Sequence, residues 1–551
     1  MSHAVPHHET KLLPPVGVRG RTLALCILTL APFLVGALAL FLGQDANWDL
    51  RNYHWYNAYA FLNDRYQRDL LPSQTPYFYN PTMDIPYYLL ATHVSARVVA
   101  FALGTVQGLN FVLLFMLAYA SLIVPNPRHK VLVCAFLAAL GLLGGGGIAM
   151  IGTVFYDNVT SLGLWLSALL VIVHCHKILG ERWKQAALWA VLAGLPAGVV
   201  MGLKLPSVVF CVGLCGALLL SAGPWRRRFG AAVFFGCGVL LGLAVSLGPW
   251  AWFLQTHYGS PLFPYFNNFF QSPLAPLTSA RDLMFVPSGW HDRLLLPFLF
   301  AIDPKRVGEI AWQDFRIPLL YALLPLAVLL RLLFGRGSGA ANRLAQPYAA
   351  RYLLWAMALA YAAWVFMFGI YRYLVPLEML APLLILFAVG MLPLRLTVRG
   401  LLAAFLLVGV AATVRGGDWT RLDHWLDHAV EVERPALPDS PNLMILMAGF
   451  EPYAHVVTQF PPQIGFVRIQ SNFSSPDENK GINGVIRARL AAHTGDFMLL
   501  IPSYQHDMAQ AALNHYALRL KPETCQPVVD RLYDSKLQLC ALARTRTGGE
   551  K

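Results

Sequence analysis

Charge is what this sequence has least of. Asp, Glu, Lys and Arg make up 13% of its 551 residues, about half the share an ordinary globular surface carries. With 57% of the residues hydrophobic, the chain cannot clothe itself for water, and lipid must cover the rest. The common cofactor signatures are missing as well. No G-x-G-x-x-G, Walker A or H-E-x-x-H pattern and no internal repeat occurs, which removes the usual marks of dinucleotide, NTP and zinc-protease chemistry. Of eight cysteines, six (Cys26, Cys134, Cys175, Cys211, Cys215 and Cys237) stand in apolar runs, where a thiol serves as a small buried hydrophobe and suggests no metal site.

What charge there is leans positive, with 42 Lys and Arg against 29 Asp and Glu. The basic residues form short clusters between apolar runs. That is the bias of cytoplasmic loops, and no nucleic-acid partner is expected. Met1 to Arg21 is polar and basic, and Thr22 to Gly43 is long enough to cross a bilayer at about 20 residues per span. No small-residue cleavage site precedes the acidic loop beyond it, so this is read as a retained first span.

Counting apolar runs in the same way predicts about eleven spans. Their cores lie near 22–43, 104–124, 131–148, 159–178, 185–201, 205–221, 230–248, 317–334, 352–370, 374–392 and 398–414. With the N-terminus in the cytoplasm, the basic clusters from Arg128 to Lys130, Lys177 to Lys184, Arg226 to Arg228, Arg336 to Arg351 and Arg395 to Arg399 all fall inside. An odd span count then puts Arg415 to Lys551 outside. Cys525 and Cys540, fifteen residues apart in that hydrophilic segment, ask for the same oxidising side. A disulfide between them is expected, contributing on the order of 3 kcal/mol if unstrained.

The fold class expected is mainly α: a polytopic membrane helical bundle with a small C-terminal extracytoplasmic α/β domain. The expected division is a cytoplasmic tail at 1–21, a membrane domain at 22–414 with external loops at about 44–99 and 249–317, and the C-terminal domain at 415–551. In that domain, apolar stretches at 443–447, 464–469, 497–501 and 537–541 alternate with a helix-like stretch at 484–492.

The loop after the first span is dense in acids and rings, from Gln44-Asp45-Ala46-Asn47-Trp48-Asp49 through Tyr53-His54-Trp55-Tyr56 to Tyr59 and Leu62. On a helix, Trp48, Trp55, Tyr59 and Leu62 share one stripe and Asp45, Asp49, Tyr53 and Tyr56 a neighbouring one. The first suits the lipid interface and the second a polar cleft. An interfacial aromatic belt explains the rings. It does not explain two carboxylates within a turn of each other, which repel and lose hydration beside a bilayer. A second acidic and aromatic patch comes next at Tyr77, Tyr79, Asn80 and Asp84-Ile85-Pro86-Tyr87.

These residues resemble the GT-C class of glycosyltransferases, membrane enzymes that take a sugar from a polyprenyl-phosphate carrier. The shared pattern is an acidic loop directly after the first span, here Asp45 and Asp49-Leu50-Arg51-Asn52-Tyr53-His54. An acid opens a later external loop at Phe155-Tyr156-Asp157-Asn158, a basic and aromatic motif stands at the outer end of a late span at Tyr371-Arg372-Tyr373-Leu374-Val375-Pro376-Leu377-Glu378, and an external C-terminal domain closes the chain. The resemblance implies inverting transfer to an envelope glycan, glycolipid or protein acceptor at the outer face of a bacterial inner membrane.

Such chemistry needs a base for the acceptor hydroxyl and positive charge for the departing phosphate. Asp49 is the candidate base, and Asp45 is a base, a metal ligand or the partner of a cation. Asp157 is either a second acid or a helix cap. Tyr53, His54 and Asp84 are candidate substrate contacts. Lys204 and Arg372, with Tyr373, are candidates for the phosphate; snorkelling to headgroups is the other reading of Arg372. Lys204 has little polar company in sequence and must meet Asp157 or a lipid phosphate in space. The acidic first loop lacks the contiguous Asp-x-Asp or Asp-Glu pair of many members, which leaves open a divalent cation, Mg or Mn, on Asp45, Asp49 or Asp157. Competing readings are a transporter or flippase of an amphipathic substrate and an envelope glycan ligase or polymerase.

Overall fold

The computed structural model describes residues 12–545 apart from 16, 19, 279–281, 336–342 and 441. The first eleven residues of the expected tail, with Arg281 and Arg336, lie outside the described residues. The chain divides into two compact units, one of Met1–Leu42, Phe101–Gly248 and Asp282–Trp419, the other of Gly43–Ala100, Pro249–Arg281 and Thr420–Lys551.

Among the described residues eight helices are long and apolar enough to cross a membrane: Arg21–Leu42, Ala96–Ser121, Trp183–Leu203, Trp225–Tyr258, Arg316–Phe334, Pro347–Met367, Tyr371–Met391 and Leu396–Thr413. They mark a multi-pass membrane protein. The remaining expected spans correspond to the shorter helices Pro127–Leu142, Asp157–Val173 and Leu205–Leu219. Pro249, expected to open an external loop, lies inside the 34-residue helix Trp225–Tyr258.

In the first unit the helix Val375–Met391 is buried almost throughout and packs against Arg316–Phe334 and Pro127–Leu142. Glycines at four-residue spacing bring two other helices together. A Cβ on Gly194 would lie 2.1 Å from the Phe235 carbonyl oxygen, and one on Gly198 2.0 Å from that of Val239. Gly238 and Gly242 meet the Val191 and Leu195 carbonyls in the same way. This is the small-residue packing that lets helices touch where no hydrophobic drive separates protein from lipid.

Between Pro127–Leu142 and Asp157–Val173 the backbone is irregular, and at membrane depth its polar groups must find partners within the protein. Side chains provide them. Glu378 accepts from the amides of Gly146 at 3.1 Å and Gly147 at 2.7 Å, and Asp314 from Gly145 at 2.9 Å. Gln107 accepts from Gly152 at 2.6 Å and donates to the carbonyls of Met150 and Thr153. The run of four glycines has its reason here, since a Cβ on Gly144 would stand 1.9 Å from Glu378 Oε1. Replacing Glu378 with Gln turns an amide donor toward N–H groups that need an acceptor. The expected cost is about 1–3 kcal/mol, read as a lower melting temperature of the detergent-solubilised protein.

In the second unit a mixed sheet runs in the order Gly465–Arg468, Leu443–Met447, Asp496–Pro502, Leu537–Arg544 and Leu518–Leu520. The first three strands are parallel and Leu537–Arg544 is antiparallel to its neighbours. With the helix Gly481–Ala492, this is the strand–helix alternation expected from sequence.

The first loop belongs to this same unit. Gln44–Asp45 pairs antiparallel with Arg421–Leu422, and the Leu70 amide donates to the Phe466 carbonyl. Trp250, Tyr258 and Phe263 enter a ring cluster with Tyr66, Phe78 and Phe473, so these rings of the second external region are core residues.

Candidate functional site

The helix expected after the first span forms from Trp48 to Leu62 but is not a regular α-helix. Asp45 lies outside it in a two-residue strand, Leu50–His54 is a π-helical turn, and regular α-helix follows from Trp55 to Leu62. A π turn holds more residues than an α turn and shifts the phase of the helix after it. Trp55 and Tyr59, expected to face lipid, are accordingly buried, and Trp55 Nε1 donates to Thr458 Oγ1 at 3.1 Å. Tyr56 leaves the polar stripe to donate to Asp69.

Each candidate acid has a partner close by in the chain or in the same unit. Asp45 accepts the Asn47 amide on both carboxylate oxygens, at 2.7 and 2.9 Å. Asp49 Oδ2 accepts from the Tyr53 hydroxyl at 3.1 Å. His54 Nδ1 stands 2.6 Å from Asp84 Oδ1, both side chains being buried. Asp84 opens the helix Asp84–Ala91, where the helix dipole favours negative charge. Tyr53 packs against the His54 ring at 4.1 Å and the Tyr79 ring at 5.3 Å between centroids.

Beside this group, Arg51 lies 3.6 Å over the Tyr533 ring and donates to the Ala46 carbonyl. Burial pushes its guanidinium down from the usual arginine range, while Tyr533, Asp530 and Glu451 work the other way.

Asp157, Lys204, Arg372 and Tyr373 belong to the membrane unit. Tyr156 takes a left-handed backbone conformation, φ 61°, uncommon for a bulky residue and costly unless its surroundings enforce it. That turn presents the Phe155 carbonyl and the Asp157 carboxylate to one cation. Lys204 donates to both, reaching Asp157 Oδ2 at 2.8 Å, so Asp157 is the partner its position demanded. Asp157 is also the first residue of its helix, with Tyr156 as the cap.

Lys204 Nζ stands 5.6 Å from the Tyr373 ring centre, and the Arg372 guanidinium 6.0 Å from the same centre. Arg372 also lies 4.2 Å over Phe155 and 5.1 Å over Trp419, within cation–π range of three rings. Gly146, Trp312, Tyr371, Arg372 and Trp419 line a small recess here, with room for about one water molecule.

Glu378, which closed the motif from Tyr371 without a role of its own, accepts from the Tyr371 hydroxyl at 2.6 Å, and sequence reasoning missed the Asp314–Arg316 ion pair at 2.8 Å. The available signal was an acid inside an otherwise apolar span, two residues after Pro376.

Of the three acids proposed for a divalent cation, Asp45 accepts from the Asn47 amide, Asp49 from the Tyr53 hydroxyl and Asp157 from the Lys204 ammonium; no chemical step is routed through a metal. Cys525 and Cys540 are joined by a disulfide. His506 lies beside them, but the disulfide leaves no thiolate to bind a metal. No family model matches the chain, and no characterised protein matches it.

Proposed function

We propose that the protein is a GT-C-like glycosyltransferase of the bacterial inner membrane. In this reading it moves a sugar from a polyprenyl-phosphate carrier to an envelope glycan, glycolipid or protein on the outer face. The observation that carries the reading is the approach of two cations, Lys204 and Arg372, to a single aromatic ring in the membrane unit. A lipid phosphate leaving in a low-dielectric place needs fixed positive charge, and rigidly held cations provide it without reorganisation.

Asp49 takes the proton of the acceptor hydroxyl. The acceptor oxygen bonds to the anomeric carbon from the face opposite the phosphate, and the breaking C–O bond leaves its electron pair on the phosphate. Lys204 and Arg372 stabilise that charge, and Asp157 and Tyr373 hold the two cations in place. Tyr53 and the His54–Asp84 pair contact sugar hydroxyls. The proposed topology has about eleven spans, a cytoplasmic N-terminus and the C-terminal domain outside.

Mass spectrometry of envelope glycans and prenyl-phosphate sugars in a deletion strain tests this reading. A lipid-linked sugar should accumulate while one glycan residue disappears, and unchanged profiles of both would defeat the proposal.

A further inference from the structure

The α/β sheet of the second unit has a feature that the transfer reaction leaves unused. Its central parallel strand, Leu443–Met447, has Gly465–Arg468 on one side and Asp496–Pro502 on the other. The chain therefore leaves that strand first to one side and later to the other. At such a reversal the connections diverge and open a crevice beyond the carboxyl ends of the strands, where ligands bind in open α/β sheets.

The segments at that edge are Ala448 to Tyr453, Ile469 to Gln470 and Ser503 to Gln505. Arg468, fully buried, holds the first of them from beneath. Its Nη1 donates to the carbonyls of Gly449 at 2.8 Å and Glu451 at 3.2 Å, and Gln74 Nε2 donates to that of Phe450 at 2.9 Å. Gly449 has φ +88°, and a Cβ there would lie 2.6 Å from Gln505 Oε1, so the turn and Gln505 are in direct apposition. With its backbone anchored, the turn leaves Phe450 54% exposed, and Tyr504 is 61% exposed.

Several polar atoms around this edge have no hydrogen-bond partner among the described residues: Arg468 Nη2, Gln470 Oε1, Gln505 Oε1 and Gln74 Oε1. Buried polar groups are almost always satisfied. A cluster of exceptions at the carboxyl edge of a parallel sheet points to a polar ligand.

We propose that this edge is a glycan-binding site. Phe450 and Tyr504 offer ring faces to the C–H faces of a sugar, and Glu451 and Gln505 bond to its hydroxyls. The Glu451 carboxylate offsets the charge of the buried Arg468 guanidinium, and the turn from Ala448 to Tyr453 has a single glycine where a phosphate cradle has several, so the ligand proposed is a neutral oligosaccharide. The site stands on the geometry of this domain alone. Only a role in holding the acceptor rests on the glycosyltransferase reading.

The test uses the full-length protein in a polyoxyethylene detergent, which avoids the sugar headgroup of a maltoside. Saturation-transfer NMR is recorded with chitotriose, maltotriose and mannotriose. At least one trisaccharide should bind, and Phe450→Ala, Tyr504→Ala or Glu451→Gln should each weaken it by about ten-fold. The two rings are exposed, so their removal leaves the fold intact, as an unchanged melting temperature would verify. Failure of all three sugars to bind, or equal binding by all three variants, overturns the site. The readout needs no catalysis, so loss of the transferase reading leaves it standing. A working transferase that binds none of these sugars refutes the site alone.

Discussion

Replacing Asp49 with Asn is expected to slow glycosyl transfer by about 10²–10⁴-fold, the range that a positioned general base supplies. The substitution is nearly isosteric. An Asn Oδ1 still accepts the Tyr53 hydroxyl that now reaches Asp49 Oδ2 at 3.1 Å, so the π-helical turn keeps its anchor. What disappears is the basic lone pair. The rate is measured as transfer from a lipid-linked sugar in membranes of a deletion strain carrying the variant, with expression matched by immunoblot. Tyr53→Phe removes the donor and leaves the carboxylate, so it should reduce the rate far less. Full activity in Asp49→Asn would end its assignment as the base, and an equal loss in both variants would point to a positioning role for the pair.

Asp69→Ala is expected to destabilise the second unit by about 3–5 kcal/mol, the usual consequence of removing one partner of a buried ion pair. Asp69 is fully buried and accepts from Arg65 Nε at 2.8 Å and Nη2 at 2.7 Å, from the Tyr56 hydroxyl at 2.8 Å and from the Phe466 amide at 2.9 Å. Without it, the Arg65 guanidinium is buried with only the carbonyls of Pro462 and Ile464 to satisfy it. These bonds tie the first loop to the strand Gly465–Arg468. Limited proteolysis of the full-length protein should therefore show early cleavage within 420–545 in the variant. Replacing Arg65 and Asp69 together, by Met and Leu, removes the orphaned charge and should recover much of the loss. Wild-type protease resistance in Asp69→Ala would show that the pair holds nothing together.

Much of the architecture could be read from one-dimensional pattern. Eight apolar helices and the strand–helix alternation of the C-terminal segment arise from run length and residue type, because a span or a strand is decided by its own residues and its solvent. The candidate site was legible only as residue types. Asp49, Asp157, Lys204 and Arg372 stood out because charge beside a bilayer is costly, and that cost acts on each residue alone. The role of Glu378 and the presence of Arg316 escaped notice because their partners are the backbone of Gly146 and Gly147 and the side chain of Asp314, and no sequence pattern records such pairings. The periodicity argument failed at Leu50–His54, where a π turn breaks the 3.6-residue phase.

The loop after the first span shows the division most directly. Its sequence by itself determined that acids and rings would crowd next to a membrane helix, since composition and position need no partner to be read. Only the tertiary structure decided which of them are exposed. Trp55 and Tyr59 turn inward, Arg65 donates to the Ile464 carbonyl just before the strand that begins at Gly465, and Asp69 accepts from Phe466 within it. Whether a ring meets lipid or a neighbouring strand depends on contacts about four hundred residues away in the chain, and helical spacing carries no information about them.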